Sequence, residues 1–170
     1  KRLKATVAGG SSVPILPANL TLKYANGEPR LMSYESLSEG GFATGTMLGS
    51  GGFIAFDEDQ CIVRNTWNFA RFYAHESCGQ CSPCREGTGW MEKVLRRLEH
   101  GQGHMHDIDL LAEINKKIEG NTICPLGDAA AWPVAAAIRH FREEFEWHVT
   151  HPDEAVKRNF GIASNHMPLV

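Results

Sequence analysis

The sequence predicts an α+β protein in which a small strand-rich half precedes a four-helix bundle. Residues 1–57 contain short apolar runs interrupted by Gly, Pro and an Asn-Gly pair, which are strand and turn signals. From residue 61 onward, apolar residues recur at helical spacing. A length of 170 residues accommodates one ordinary domain or two small ones. A hydrophobic fraction of 42% and a charged fraction of 22% are typical of globular proteins.

The first half is predicted as a small α+β domain over residues 1–57. Its strand segments are T-V-A-G-G-S-S-V-P-I-L-P, L-T-L-K-Y-A-N-G-E-P-R-L-M and F-I-A-F. A short helix is predicted over residues 32–38, with Ser33 as its cap. The glycine-dense stretch from Gly45 to Gly52 resembles a phosphate loop only superficially, because no Gly-Lys-Ser or Gly-Lys-Thr ends it and a strand follows. Tight turns and close packing are the preferred interpretation of these glycines.

Four helices are predicted over residues 58–150, joined by short loops. The first begins at about Cys61, the second spans residues 87–99, the third begins at Asp107 and the fourth spans residues 132–149 with Pro133 in its first turn. The predicted apolar positions are Ile62, Trp67, Phe69, Phe72, Tyr73, Trp90, Met91, Val94, Leu95, Leu98, Ile108, Leu111, Ile114 and Ile118. Residues 151–170 form a tail without a strong pattern.

Charge and hydropathy exclude several classes of partner. A net charge of −3 gives no general attraction to nucleic acid or to anionic lipid. Apolar runs are all shorter than the roughly 18 residues that a bilayer crossing needs, so no direct membrane insertion is predicted. The first residues lack an initiator Met and the apolar core of a signal peptide. We therefore expect the chain to be the rear part of a longer protein.

The cysteines carry the strongest chemical signal. Their number, five, is odd, which argues against a complete disulfide framework. Cys78, Cys81 and Cys84 form C-x2-C-x2-C within H-E-S-C-G-Q-C-S-P-C-R-E-G-T-G-W, and Cys124 directly precedes Pro125. Three close thiolates and a distant Cys-Pro are typical of a [4Fe–4S] cluster in a reducing compartment. Structural zinc sites usually pair their ligands as two separate units, so zinc and unliganded thiols are the less favoured alternatives.

The residues around these cysteines suit an anionic cluster. Cys84 is predicted to lie just before the helix that begins near Gly87, where backbone N–H groups and the helix dipole favour negative charge. Arg85 adds a positive charge next to it. Cys124 is likewise predicted to lie upstream of the fourth helix. His75 is expected either to tune the cluster by hydrogen bonding or to have a structural role.

Other titratable residues are predicted to be structural. Cys61 is predicted as a small buried residue, with a replacement ligand or a redox thiol as alternatives. His100, His104 and His106 lie in a Gly-rich connection, where polar residues are expected, and we prefer that interpretation to a metal clamp. No arrangement of catalytic residues stands out. The chain is predicted to have no catalytic apparatus of its own beyond electron transfer.

Both cysteine motifs closely resemble the NADH-binding flavoprotein subunit (F subunit) of respiratory complex I. The segments S-G-G-F-I-A-F-D and W-N-F-A-R-F-Y-A-H-E-S extend the resemblance, which covers residues 5–148. It implies an N-terminal domain for FMN and NADH, then a ubiquitin-like β-grasp (SLBB) domain, then a helical bundle with one [4Fe–4S] cluster. This chain would contain the last two, the β-grasp domain as residues 1–57, truncated at its start, and the bundle as residues 58–150. Residues 151–170 would be a C-terminal tail.

The resemblance also implies roles and partners. It places the cluster ligands at Cys78, Cys81, Cys84 and Cys124, and Leu126 and Gly127 near the flavin. Electrons would pass from reduced FMN through the cluster to the large iron–sulfur subunit, with a small [2Fe–2S] subunit as another neighbour. NADH would bind the N-terminal domain, so this chain alone should not oxidise it. The expected location is peripheral, on the cytoplasmic side of a bacterial inner membrane or on the mitochondrial matrix side.

Two alternatives remain open. Diaphorase subunits of NAD-linked hydrogenases and formate dehydrogenases contain the same module, although they often carry further cluster domains. A structural metal-binding module that only scaffolds an assembly is an alternative of a different class.

Overall fold

Strands lie mainly in the first third of the chain and helices in the rest. The structure, a computed structural model, describes residues 1–24, 26–39 and 45–160. Its elements in chain order are β1 (Leu3–Ala8), β2 (Leu16–Pro17), α1 (Tyr34–Glu39), β3 (Phe53–Asp57), α2 (Ile62–Glu76), α3 (Ser82–Glu99), α4 (Met105–Ile118), α5 (Leu126–Thr150) and α6 (Pro152–Phe160). The predicted α+β class is confirmed. None of the described helices combines the length and the apolar composition needed to cross a bilayer.

The three described strands form one antiparallel sheet in the order β2-β1-β3. Thr6 of β1 is paired with Leu16 on one side and with Ala55 on the other. Ser33 caps α1, because its hydroxyl accepts a hydrogen bond from the Ser36 backbone N–H at 3.3 Å. The predicted cap is thus confirmed.

Glycines close the turn beside the sheet, as the sequence predicted for part of the Gly-rich segment. Gly49 has a φ of +52°, and a Cβ at this position would lie 2.2 Å from the Gly9 carbonyl oxygen. The backbone N–H groups of Gly9 and Gly10 both donate to the Gly52 carbonyl at 2.8 Å. Only glycine allows two backbones to approach this closely. Residues 40–44, which directly precede this segment, lie outside the described residues.

Helices α2 to α5 form the predicted bundle and alternate in direction along its axis. The Trp67 indole N–H of α2 donates to Glu92 of α3 at 3.1 Å, and the Asn115 side-chain amide of α4 donates to the Ala131 carbonyl of α5 at 3.1 Å. The bundle core contains Ile62, Phe69, Met91, Leu95, Leu98, Ile108, Leu111, Ile118, Val134, Ala137 and Phe145. Phe72 and Trp90 were predicted in the apolar faces but are 50% and 55% exposed, because each lies at the edge of its helix's buried stripe.

Several predicted helix boundaries were wrong. Helix α3 begins at Ser82 rather than near Gly87, because Pro83 is acceptable in a first turn. Gly87 then lies inside the helix, where its missing side chain admits the Ile118 side chain of α4. Helix α5 begins at Leu126, so Pro133 is an interior residue rather than a first-turn residue, and non-helical backbone angles occur at Phe141 instead.

Helix α6 lies where no strong pattern was predicted. Pro152 begins it, Asp153 and Glu154 occupy its first turn, and Lys157 and Arg158 lie in its last turn. Acidic residues at the start and basic residues at the end suit the helix dipole, so these charges were a signal that the sequence prediction missed. Residues 161–170 of the predicted tail lie outside the described residues.

The sheet packs directly against the bundle. Rings of Phe56 in β3 and Phe69 in α2 lie 6.5 Å apart between centroids, and the hydroxyl groups of Ser11 and Tyr73 are 3.2 Å apart. Buried side chains of both halves form one continuous apolar core. The division into residues 1–57, 58–150 and 151–170 stays a prediction.

Candidate metal centre

The four cysteines predicted as ligands lie at one end of the bundle, which we call the cysteine end. Cys78 lies in the connection after α2, Cys81 is the N-cap of α3, and Cys84 lies in the first turn of that helix. Cys124 lies in the connection before α5. This end thus combines the C-terminal end of α2 with the N-terminal ends of α3 and α5.

One hydrogen bond joins the distant cysteine's segment to the compact cysteine run. The Ile123 backbone N–H donates to the Cys81 sulfur at 3.4 Å, across 42 residues of sequence. Because Ile123 directly precedes Cys124, this hydrogen bond brings the backbone next to Cys124 into contact with Cys81. The motifs predict that all four cysteines converge. This contact links the segments of Cys81 and Cys124, and the four-ligand set stays a prediction.

A second hydrogen bond reaches the third cysteine of the run. The hydroxyl oxygen of Ser77 is 3.2 Å from the Cys84 sulfur. A thiolate has no proton, so the hydroxyl is the donor whenever Cys84 is ionised. With Cys84 ionised, two of the four sulfurs would accept hydrogen bonds, as the sulfurs of iron–sulfur sites do.

Exposure differs across the four sulfurs. Cys84 is buried, at 7% exposure, and Cys81 is intermediate. Cys78 and Cys124 are exposed, and Ile123 next to Cys124 is 84% exposed. A group held by these residues would be covered by the bundle on one side and accessible on the other.

The segment that carries Cys124 is held against the first turns of α5. The Gly120 backbone N–H donates to the Asp128 carboxylate at 2.7 Å, and the Trp132 indole N–H donates to Glu119 at 2.9 Å. The Thr122 hydroxyl donates to the Cys124 carbonyl at 2.9 Å. These hydrogen bonds hold the backbone around Cys124 against α5.

The two predicted flavin neighbours differ in accessibility. Leu126 is half-buried at the start of α5, whereas Gly127 is buried beneath Thr122. A Cβ at residue 127 would lie 2.5 Å from the Thr122 hydroxyl oxygen, so the site has no room for a side chain. Ile123, which the sequence patterns did not indicate, is the exposed apolar residue of this segment.

The compact cysteine run is shaped by a glycine and an arginine. Gly79 has a φ of +81°, a conformation that favours glycine, and its carbonyl accepts a hydrogen bond from Arg85 at 2.9 Å. The Thr88 hydroxyl donates to the Cys84 carbonyl at 2.8 Å. Arg85 lies beside the run as predicted, and its guanidinium also contacts Glu86 at 2.9 Å.

The predicted relation between Cys84 and the helix start needs correction. Cys84 lies inside the first turn of α3 rather than before the helix, and Cys81 rather than Cys84 is the residue that precedes it. No side chain caps the start of α3. Its first backbone N–H groups are therefore available to an anionic group held by the cysteines.

The histidines singled out in the sequence do not join the cysteines. The His75 side chain is 86% exposed and contacts Glu76 at 3.1 Å. The rings of His104 and His106 stack on each other with centroids 5.5 Å apart, and the His100 ring packs edge-on against Trp67.

Within the described part of the chain, the donors close enough to share one small ion are those of Cys61, Glu99 and His148. Cys61 is 4% exposed, which confirms its predicted burial.

Comparisons with known proteins agree with the cysteine motifs. A family model described as the NADH-ubiquinone oxidoreductase-F iron-sulfur binding region matches residues 64–148. The chain is 50% identical over 144 residues to the F subunit of NADH-quinone oxidoreductase in Rickettsia bellii (strain OSU 85-389), which is 85% of this chain and 32% of that protein. An F subunit of the same enzyme in Rhizobium meliloti (strain 1021) is 45% identical over 144 residues, or 85% of this chain and 31% of that protein. The chain therefore spans about a third of the length of these curated relatives.

A solved structure matches nearly the whole chain. An NAD+-reducing [NiFe]-hydrogenase in the H2-reduced state aligns with a TM-score of 0.69 at 26% sequence identity. The alignment covers 97% of this chain and 28% of the hydrogenase chain.

Proposed function

Since the chain belongs to the family of the NADH-ubiquinone oxidoreductase-F iron-sulfur binding region, we propose that it is the electron-relay part of an NADH:quinone oxidoreductase. In this proposal, single electrons pass from reduced FMN through a [4Fe–4S] cluster to further clusters. The proposed ligands are Cys78, Cys81, Cys84 and Cys124. The observation that best supports this set is the hydrogen bond from the Ile123 N–H to the Cys81 sulfur, because it holds the fourth cysteine's segment beside the compact run.

The chain's residues suit such a cofactor. When bound, a [4Fe–4S] cluster supplies one-electron redox chemistry at a potential set by hydrogen bonds to its sulfurs and by solvent exposure. Ser77 and the Ile123 backbone provide two such hydrogen bonds, at 3.2 and 3.4 Å. The uncapped start of α3 stabilises negative charge, and Arg85 is close by. Each of these groups opposes the repulsion between converging thiolates.

The proposed path uses the open side of the site. Cys78, Cys124 and Ile123 form the accessible face, while Cys84 faces the bundle. We propose that the flavin domain approaches this open face near Ile123 and Leu126. Gly127 could contact the flavin only through its backbone, because the Thr122 side chain occupies the space that a side chain at residue 127 would need.

The remaining parts of the activity belong to other segments and subunits. FMN and NADH are proposed to bind the N-terminal domain that the family resemblance implies. The small [2Fe–2S] subunit and the large iron–sulfur subunit are the proposed neighbours in a multi-subunit NADH-oxidising complex. The proposed location is peripheral, on the cytoplasmic side of a bacterial inner membrane or on the matrix side in mitochondria.

A second candidate is the diaphorase part of an NAD-linked hydrogenase. The match to the NAD+-reducing hydrogenase supports it, since that match covers 97% of the chain. Sequence identity is higher to the quinone oxidoreductase subunits, at 50% against 26%, and favours the first candidate. Copurification separates the two: a nickel–iron subunit would indicate the diaphorase, and quinone oxidoreductase subunits would indicate the proposed assignment.

Anaerobic purification followed by electron paramagnetic resonance tests the proposal. We expect about four irons and four sulfides per chain, and a signal of a reduced cubane after dithionite. The Cys61→Ala variant is the matched control, because Cys61 lies outside the proposed ligand set, and it should keep the iron. One tightly bound zinc without iron would contradict the proposal and support a structural scaffold. Iron without a reducible signal would also contradict it.

A further inference from the structure

A second group of metal-ligating side chains lies at the other end of the bundle, which we call the buried end. Cys61, Glu99 and His148 each place one donor atom within 4.8 Å of the others. Their exposures are 4%, 0% and 0%. Cys61 is the N-cap of α2, Glu99 is the last residue of α3, and His148 lies near the C-terminal end of α5. Three separate elements therefore contribute one donor each.

The His148 ring lies between the other two side chains. Its Nε2 is 3.1 Å from the Cys61 sulfur, and its Nδ1 is 3.9 Å from a Glu99 carboxylate oxygen. The distance to Glu99 exceeds that of a hydrogen bond. His148 Nδ1 is fully buried and has no hydrogen bond within the usual distance and angle limits in the described part of the chain, although a looser hydrogen bond from the ring to the Leu98 backbone raises the pKa of His148. An ion shared with Cys61 would bind Nε2, the ring nitrogen that faces the sulfur, and Nδ1 would keep its proton.

The protonation states around the ring suit ligation. Burial is the main cause that lowers the pKa of His148 to about 4, against the opposing effects of Glu144 and the Leu98 backbone. The ring is therefore neutral at pH 7 and keeps a lone pair for a metal. The Cys61 sulfur accepts a hydrogen bond from the Arg64 backbone N–H at 3.4 Å, at a helix N-terminus.

The charged residues that act on His148, which are Glu144, Arg158 and Lys4, are held by contacts of their own. Lys4 and Glu144 form an ion pair at 2.7 Å, and Glu144 also accepts a hydrogen bond from the Ile62 backbone N–H at 3.0 Å. Arg158 lies over the Trp147 ring, 5.9 Å from its centroid. Metal binding displaces the protons of its thiol and carboxyl ligands, so Cys61 and Glu99 would then carry two negative charges and His148 none. One divalent cation would make the buried group electrically neutral, which removes the main cost of burying charge.

We propose that Cys61, Glu99 and His148 form a second metal site, for a borderline-soft divalent cation such as Zn²⁺. Sulfur, nitrogen and carboxylate oxygen are the ligand atoms of zinc, whereas calcium and magnesium prefer oxygen alone. Three protein donors leave one position of a tetrahedral ion for a water or hydroxide. The ion would join the ends of α2, α3 and α5. The proposal does not depend on the proposed electron relay, because the length of α3 between Cys84 and Glu99, about 22 Å, separates the two sites.

Zinc binding to the wild-type chain with its iron–sulfur cluster assembled is the direct test. The protein is incubated with Zn²⁺ and dialysed, then zinc and iron are counted and zinc K-edge X-ray absorption is recorded. We expect about one zinc besides about four irons, with one sulfur neighbour at about 2.3 Å and nitrogen or oxygen neighbours at about 2.0–2.1 Å. Absence of retained zinc overturns the proposal. A shell of several sulfurs also overturns it, because the zinc then lies among the cysteines of the other end.

Variants assign the ligands. Cys61→Ser, Glu99→Gln and His148→Gln are each expected to reduce the retained zinc several-fold or more, with the iron content unchanged. Thr66→Val is the matched control, since Thr66 is buried on α2 but is not a metal ligand type, and it should keep the zinc. Retention of zinc by all three ligand variants overturns the site. Should a variant fail to fold, the absorption spectrum of the wild-type chain still decides between the sites.

Discussion

The two ends of the helical bundle both carry cysteine at a helix N-terminus, yet their surroundings are opposite. At the cysteine end, Cys78 and Cys124 are exposed and Cys81 accepts a hydrogen bond from a loop backbone. At the buried end, Cys61 is 4% exposed and lies 3.1 Å from His148. Helix dipoles act at both ends, so they do not explain the difference. Burial does: the cysteine end has two exposed cysteines, Cys78 and Cys124, besides the buried Cys84, so a cofactor held there would reach the surface, whereas a group held by Cys61 would be enclosed.

Each of the four bundle helices runs from one end of the bundle to the other, in alternating directions. Helices α2 and α4 run from the buried end to the cysteine end, and α3 and α5 run back. A change at one end can therefore reach the other only along packed helices. We expect ligand changes at the cysteine end to act on stability through the bound cluster, and changes at the buried end to act on stability through packing and hydrogen bonds.

Removal of the fourth ligand should have the largest effect. Cys124→Ser is expected to abolish cluster assembly, with iron falling from about four per chain to near zero, because the compact run then lacks its closing thiolate. Iron content and the reduced electron paramagnetic resonance signal are the measurements. The bundle should also loosen, since cluster binding contributes folding free energy. A Cys124→Ser variant with full iron content and native stability would show that Cys124 is not a ligand of the cluster.

Truncation of one apolar side chain at each end should change the free energy of unfolding by very different amounts. Phe145→Ala at the buried end removes a side chain that is 0% exposed and should cost about 3–5 kcal/mol of unfolding free energy. Ile123→Ala at the cysteine end removes one that is 84% exposed and should change it by less than about 0.5 kcal/mol. Chemical denaturation measures both. Similar costs for the two variants would show that the ends do not differ in packing as described.

Acid should weaken the buried end through Asp107. Arg97 donates two hydrogen bonds to this fully buried carboxylate, and the His104 backbone N–H donates a third at 2.8 Å. Burial raises the pKa of Asp107, but these hydrogen bonds outweigh it and hold the pKa below the usual 3.8. The native state therefore favours the ionised form. Its contribution is complete above the unfolded pKa and disappears as the pH falls through the lower folded pKa.

The Asp107→Asn variant checks this prediction. It should lose about 1.5–3 kcal/mol at neutral pH, as expected for a charge-assisted hydrogen bond, and should show a smaller loss of stability on acidification than the wild type. Denaturation curves from neutral pH to below pH 4 provide the measurement. Identical pH dependence in the two proteins would contradict the role assigned to Asp107.

The smallest predicted effect concerns the hydrogen bond at the third cysteine. Ser77→Ala removes the donor 3.2 Å from the Cys84 sulfur and should lower the reduction potential of the bound cluster. The donor stabilises the more negative, reduced state, and a loss of about 1 kcal/mol corresponds to about 40 mV. A redox titration followed by electron paramagnetic resonance measures the shift. Ser82→Ala is the control, because the Ser82 hydroxyl contacts Arg85 instead, and an equal shift there would contradict the assignment.

Local patterns were predicted well where neighbouring residues decide them. Ser33 was predicted as a cap and does cap α1, and Cys61 was predicted to be buried and is buried. The predicted starts of α3 and α5 are too late. Helix α3 already begins at Ser82, ahead of Pro83, and Pro133 lies inside α5 rather than in its first turn. The sequence predicts the start of α3 near Gly87. In the structure, Gly87 lies inside α3, where the lack of a side chain makes room for Ile118 of α4.

The sequence by itself determined the α+β class, the family and the four cysteines proposed as ligands, because C-x2-C-x2-C and Cys-Pro are local spacings with a specific chemistry. Only the tertiary structure decided which sulfurs are exposed, how Ile123 meets Cys81, and that Cys61, Glu99 and His148 meet at all. These last three residues lie on different elements, far apart along the chain. Their approach depends on how α2, α3 and α5 pack, and helix packing is a property of whole apolar faces rather than of any short motif.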